Sequence, residues 1–374
     1  MKIVFVGNTA WGMFNFRRPV LQYLVSLGHE IIVITPCDED FQGRLHSIGC
    51  RCISVHMEAK GSNPLKDIRT MLHIRKVLKE EKADCCFFYT IKPNIFGSFA
   101  AASLNIPYIT VVTGLGYVFG VNNWISKIAK KLYKQAFKKA IQVWFLNSDD
   151  VAVFIREKLV KKEQVYLLNG EGIDLNRFEL VHDDTLNISF LLIARMLWDK
   201  GIGEYVEAAH ILKSKYPEVR FKLLGFLGVD NPAAISQAQM DAWINQGDIE
   251  YLGGTDDVRP YINESSCIVL PSYREGVPFT LLEGAASGKP LIAANTVGCK
   301  EVVENGINGY LCKVKDAEDL ARCMEMVILM PYQERLKMGL KGREKVKREF
   351  EISIVIDKYC QALNEMQTYC RQQF

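Results

Sequence analysis

Along the chain, short continuous apolar runs alternate with longer stretches in which apolar residues recur every three or four positions. The first half carries strand-like runs at 2–7 (KIVFVG), 30–36, 51–57, 84–90, 108–114, 142–147 and 164–170. The second half repeats the pattern at 187–195, 219–225, 249–254, 267–272, 290–295 and 309–314. Strands apolar on both sides of the pleat, separated by helices of about 10–15 residues, belong to parallel sheets covered on both faces. The series restarts after LNRFELVHDDTLN (175–187), a polar stretch with no strand pattern, which marks a domain boundary. The pattern predicts an α/β chain of two Rossmann-like, doubly wound domains facing across a cleft, with the C-terminal strand ends as ligand edges. Residues 1–178, joined by a helix at about 354–374, form the first domain, and 185–353 the second.

Composition changes this picture little. A chain of 374 residues, 49% hydrophobic and 24% charged, fits two soluble domains. Residues 93–126 carry no charge, yet Pro93, Pro107 and glycines 97, 114, 116 and 120 interrupt them. They read as a small-residue helix, a turn and a buried strand rather than a membrane span. The apolar run of MKIVFVGN is too short for a secretory signal. The 11 cysteines show neither CxxC nor metal-ligand spacing and read as thiols in a reducing cytosol. Charge is uneven: residues 1–180 hold 24 Lys+Arg against 16 Asp+Glu, and the remainder 22 against 27. A basic half joined to an acidic half suggests different partners for the two domains.

The chemistry centres on REGVPFTLLEGAASGKP (274–290). Pro278 suits a first helical turn, where a missing N–H is harmless. Glu275 then lies in the loop at the helix mouth and Glu283 one turn inside. Between them the free N–H groups of the helix start, from Gly276 and Val277 through Pro278 to Phe279 and Thr280, form a seat for phosphate. Two carboxylates beside that seat are poor phosphate ligands but good acceptors for sugar hydroxyls. The plain alternative is a solvated Glu283 and a loop charge at Glu275. Arg195, at the end of run 187–195, and Lys200, before Gly201, supply a planar fork and a point charge suited to a diphosphate. The alternative there is a salt bridge to Asp199. The loop GNTAWG (7–12) lacks the dinucleotide pattern GxGxxG, though Gly7, Asn8 and Gly12 would let backbone approach a phosphate.

These elements together resemble the retaining, GT-B-fold glycosyltransferases of family 4. Their late E-G-x-P-x-x-x-x-E reads EGVPFTLLE (275–283) here, and their earlier R-x(4)-K reads RMLWDK (195–200). FNFRRP, YTIKPNIFG (89–97) and TGLGYVFG (113–120) look similar to the subgroup that extends undecaprenyl-diphosphate-linked saccharides. One departure is Thr90-Ile91-Lys92, where many members carry a histidine. The resemblance implies that Glu283 accepts from the donor ribose and Glu275 from hydroxyls of the transferred sugar. Arg195 and Lys200 would neutralise the departing diphosphate, making Glu275, Arg195 and Lys200 the catalytic set. It also implies a UDP-sugar donor, a polyprenyl-diphosphate-linked acceptor, retained anomeric configuration and no cofactor.

No metal is expected, because Arg, Lys and a helix N-terminus stabilise the leaving group, and Asp256-Asp257 reads as helix capping. On the acceptor side, Arg17, Arg18 and Lys92 are candidates for a second diphosphate. WISKIAKKLYKQAFKKAI (124–141) places Trp124, Ile128, Leu132, Ala136 and Ala140 on one stripe with six lysines elsewhere. Lys130, Lys131, Lys134 and Lys138 would meet an anionic membrane, giving a cytoplasmic, peripheral protein. Alternatively the lysine face is simply solvated. A nucleotide-sugar 2-epimerase of the same fold and a non-catalytic sugar- or lipid-binding protein are the rival functions. Nucleic acid is disfavoured, since the lysines do not interleave with aromatic platforms.

Overall fold

The computed structural model describes residues 1–57, 63–115, 119, 124–180 and 188–373. Half of TGLGYVFG, including Gly116 and Gly120, and residues 181–187 lie outside the described residues. The chain forms two compact units, Met1–Gly172 with Ile352–Phe374, and Ile173–Glu351.

In the first unit the elements run β1 (Lys2–Val6), α1 (Ala10–Ser26), β2 (Glu30–Thr35), α2 (Glu39–Ser47), β3 (Arg51–Ser54), α3 (Pro64–Glu81) and β4 (Cys85–Tyr89). A π turn at Pro93–Gly97 leads into α4 (Ser98–Ser103), then β5 (Tyr108–Val112), α5 (Trp124–Ala136), β6 (Gln142–Phe145), α6 (Ser148–Arg156) and β7 (Val165–Leu167). The seven strands pair in parallel in the order β3-β2-β1-β4-β5-β6-β7. The central strands β1, β4, β5 and β6 are almost wholly buried because both faces are covered, whereas the edge strands β3 and β7 are only partly buried. Side chains of α3, α4, α5 and α6 share one buried cluster on a single face of the sheet.

The second unit runs β8 (Ser189–Ile193), α7 (Ile202–Lys213), β9 (Arg220–Leu224), α8 (Gln237–Gln246), β10 (Glu250–Tyr251), α9 (Arg259–Asn263) and β11 (Cys267–Leu270). It continues through α10 (Phe279–Ala286), β12 (Leu291–Ala294), α11 (Cys299–Val302), β13 (Gly309–Cys312), α12 (Ala317–Ile328) and α13 (Tyr332–Glu349). Its parallel sheet has the order β10-β9-β8-β11-β12-β13. The last helix, α14 (Ile352–Gln373), returns to the first unit, where Tyr359 meets the Tyr89 hydroxyl at 2.6 Å. Each of the 13 strands lies within one of the apolar runs read from the sequence.

The exchange between units falls at 172/173 rather than after 178. Ile173 donates to the Phe350 carbonyl at 2.9 Å, and Ile173 and Phe178 are buried in the second unit's core. The Arg343 guanidinium also holds the Phe178 carbonyl at 2.7 Å. Hydrogen bonds from distant residues set this boundary, so the polar stretch marks it only approximately.

Candidate active site

In a parallel sheet the loops that follow neighbouring strands collect along one edge. Here the chain segments after β8, β11 and β12, three adjacent strands, tie themselves together. Tyr273 donates its N–H to the Asp199 carbonyl at 2.9 Å, and Ser272 donates its hydroxyl to the same oxygen at 3.2 Å. Glu275 donates its N–H to the Val297 carbonyl at 3.1 Å, and the Thr296 hydroxyl donates to the Tyr273 carbonyl at 2.8 Å. The loop bearing Glu275 is therefore fixed before any ligand arrives.

Within this frame the Lys200 ammonium donates to Glu275 Oε1 at 2.6 Å, both side chains being mostly buried. Neither behaves as an isolated loop charge. Lys200 ends a single 3₁₀ turn (Trp198–Lys200), and Gly201 follows at φ +74°, with the carbonyl of Pro271 only 2.3 Å from where a Cβ would stand. Both the left-handed backbone and the close approach demand glycine. Gly201→Ala is expected to lower stability by about 2–4 kcal/mol. Urea unfolding measures this, and an alanine variant with an unchanged midpoint would contradict this packing.

Arg195 is exposed just beyond β8, and among the described residues no carboxylate pairs with it, Asp199 included. The mouth of α10 differs in detail from the sequence reading. Pro278 is the N-cap, with ψ 118°, rather than a first-turn residue, and it has no N–H to offer. Its carbonyl accepts from Leu281 at 3.1 Å and Leu282 at 3.3 Å. The Thr280 hydroxyl donates to the Ile193 carbonyl at 3.1 Å, anchoring this helix start against the end of β8.

Glu283, one turn on, is enclosed rather than solvated. Burial pushes its carboxyl up to about 8; Arg177 opposes that, Asp257 adds to it, and Arg259 opposes it. The sequence reading missed these three neighbours. Asp257 accepts the Arg259 backbone N–H at 3.1 Å and grips the same residue's guanidinium with both oxygens, at 2.8 and 2.7 Å. A local turn contact and an ion pair thus occupy Asp257, while the N-cap of α9 is Val258, with no side-chain cap hydrogen bond, rather than the Asp256-Asp257 pair expected to cap it. Among the described residues no three His, Cys, Asp or Glu side chains are grouped to hold a metal ion.

The first unit's candidates fare differently. A Cβ on Gly7 would meet Met13 Sδ at 2.6 Å, and one on Gly12 would meet the Thr9 hydroxyl at 2.9 Å, so both glycines are closely packed by side chains of their own loop and helix. Asn8 adjoins them, partly buried. Arg17, expected to face an acceptor, is buried. It pairs with Glu171, donates to the Gly12 carbonyl at 3.1 Å and lies 4.4 Å over the Tyr89 ring. Arg18 lies over Phe14 at 5.5 Å. Lys92 is neutralised by Asp67 at 2.8 Å. An arginine and a lysine so engaged are internal ties, because moving either would strand a buried carboxylate.

Helix α5 ends at Ala136, short of 141, and only the later part of the stripe read for it is buried: Leu132, Ala136 and Ala140 pack in the core beside Tyr133 and Phe137, whereas Trp124 and Ile128 are exposed. Lys131, Lys134 and Lys138 are exposed, while Lys130 pairs with Glu157 at 3.3 Å.

Residues 173–345 match the family model described as glycosyl transferases group 1, and residues 2–147 the one described as glycosyl transferase 4-like. The chain is 31% identical to the N,N'-diacetylbacillosaminyl-diphospho-undecaprenol alpha-1,3-N-acetylgalactosaminyltransferase of Campylobacter jejuni, over 96% of this chain and 97% of that protein. It is 24% identical to the UDP-Gal:alpha-D-GlcNAc-diphosphoundecaprenol alpha-1,3-galactosyltransferase of Escherichia coli, over 70% and 71%. A glycosyltransferase structure from Rickettsia africae superposes with a TM-score of 0.80 at 20% identity, covering 98% of each chain.

Proposed function

Because the chain belongs to the family 4 glycosyltransferases of GT-B fold, we propose that it is a retaining, metal-independent transferase of N-acetylhexosamine or hexose. The donor is a UDP-sugar, and the acceptor is a hydroxyl of an undecaprenyl-diphosphate-linked saccharide in glycan, capsule or O-antigen assembly. The observation that carries this reading is the Lys200–Glu275 pair, which joins the loops after β8 and β11, with Arg195 exposed beyond the same β8 and Thr280 at the start of α10 bonded to the Ile193 carbonyl. Cations and N–H groups suit a diphosphate, and the carboxylates suit sugar and ribose hydroxyls. The acceptor class follows the names of the two relatives, both of which act on diphosphoundecaprenol-linked saccharides.

In this reading the acceptor hydroxyl attacks the anomeric carbon from the side on which the diphosphate leaves. The C–O bond to phosphate breaks with its electron pair passing to the β-phosphate oxygen, where Arg195 and Lys200 oppose the developing charge. That oxygen takes up the proton released by the acceptor hydroxyl as its new C–O bond forms. Among the described residues no helix is long and apolar enough to cross a membrane, and a lipid-linked acceptor calls for peripheral binding at the inner face of the plasma membrane.

Two measurements test the proposal. In a thermal-shift series UDP and UDP-sugars should raise Tm above GDP, ADP and their sugars, since a ligand that binds only the folded state stabilises it. Transfer to an undecaprenyl-diphosphate-linked acceptor should persist in EDTA. No stabilisation by any of the nucleotides would remove the donor site, and complete, reversible loss on chelation would remove the metal-free mechanism.

A further inference from the structure

Helix α3 carries apolar residues on two faces. Ile74, Val77 and Leu78 pack into the core beneath it. Leu65, Ile68 and Leu72, spaced i, i+3 and i+7 on its outer face, are 71%, 47% and 53% exposed. One such residue at a surface is ordinary; a stripe of three at helical spacing is an unpartnered face. Helix α5 presents a second, through Trp124 at 69% and Ile128 at 50% exposed.

The two faces belong together. Both helices lie on the same side of the first sheet and both pack on the π turn at 93–97. A crossover helix runs back against its strands, so its first turn sits over the strands' C-terminal edge. The Lys92–Asp67 pair confirms this for α3, joining the residue three past the end of β4 to the helix's first turn at 2.8 Å. The exposed apolar residues occupy the N-terminal halves of both helices and therefore gather at one edge.

Their charged neighbours select the occupant. Arg69 is exposed on α3; Lys127, Lys131 and Lys134 are exposed on α5, and 124–141 contains no acid at all. Aliphatic side chains and a tryptophan bordered by cations fit the headgroup boundary of an anionic bilayer. We infer that α3 and α5 form one two-helix docking face, in which Leu65, Ile68 and Leu72 enter the bilayer boundary while the lysines of α5 draw it in. The inference deepens the lipid-linked-acceptor reading above by assigning where the membrane is met. Charge alone would make binding vanish with salt; the apolar stripe makes part of it survive.

The test is partitioning of the full chain onto phosphatidylglycerol-rich and phosphatidylcholine vesicles, with no sugar nucleotide present. L65Q/I68Q/L72Q should weaken binding to anionic vesicles about tenfold or more and make the remainder fully salt-sensitive. K131Q/K134Q/K138Q should abolish the preference for the anionic lipid. If the triple apolar variant loses its fold, the three single substitutions carry the test, each with a loss of about two- to threefold. Wild-type partitioning by folded variants, or no binding by the wild type, overturns the inference. So does a wild-type dimer that the apolar variant dissociates without any vesicle effect, which would give the face to a second copy. Failure of transfer to a soluble acceptor analogue with vesicle binding intact would sink the transferase reading and leave this one standing.

Discussion

Lys200→Ala should reduce kcat/KM by about 10²–10³, the loss typical of one charge-stabilising donor at a leaving group, and should lower Tm by a few degrees, because it leaves the mostly buried Glu275 carboxylate without its cation. The expectation rests on where the ammonium stands. It is held at the edge of β8 by the turn before Gly201, and its present partner, Glu275, sits in a loop pinned by other hydrogen bonds. The fold therefore outlives the loss of the pair, and the chemistry does not. Glu275→Gln separates the two roles. Freed of its carboxylate, Lys200 should bind UDP as tightly as before or more tightly, yet transfer should fall because the sugar loses an acceptor. Steady-state kinetics with UDP titrations read both effects. Near wild-type rates for folded Lys200→Ala would take Lys200 out of the mechanism.

Glu283→Gln should stabilise the protein in mildly alkaline solution. A carboxyl raised to about 8 in the fold, against an ordinary value of 4.5, binds a proton more tightly folded than unfolded. Stability from this group is then fully present below about pH 4.5 and is lost as pH rises through about 8. The uncharged amide escapes that loss. The unfolding free energy of the variant should match wild type near pH 4.5 and exceed it at pH 8.5 by on the order of 1–3 kcal/mol, after allowance for the residue's partial exposure, with Tm rising in step. Glu283→Ala should in addition lose donor affinity, by about 1.5–3 kcal/mol for a charged hydrogen bond. Parallel pH profiles for wild type and Glu283→Gln would show that Glu283 titrates as an ordinary carboxyl. A side chain that destabilises the free protein while gripping a ligand is what a binding site, rather than a scaffold, retains.

The strands were legible because burial on both faces writes itself as an unbroken apolar run, with nothing to phase. Helix α5 was harder. Residues spaced by four advance about 40° round a helix at each step, so a stripe that starts at Trp124 facing solvent ends at Ala136 facing the sheet. The helix mouth and the Arg195/Lys200 spacing were legible as motifs. The partners of those residues were not, since Lys200 meets a carboxylate 75 positions away and Arg17 one 154 positions away. Arg17 was misread for that reason. An arginine near a glycine loop looks available until the chain brings Glu171 to it. Arg177 and Arg259 escaped notice because neither stands in a motif, and only the fold sets them beside Glu283.

The second unit enters at Ile173 and leaves at Glu351, and these two residues form a bridge with each other. A stretch of chain whose ends already touch is a closed insert. Everything between them can be replaced by another insert with the same closure without rerouting a single strand of the first sheet. All the residues assigned here to diphosphate and ribose, Arg195, Lys200, Glu275 and Glu283, fall inside that loop. On the proposed reading of these residues, donor preference is heritable as a block, separable by one crossover at each end from whatever the host sheet has come to recognise.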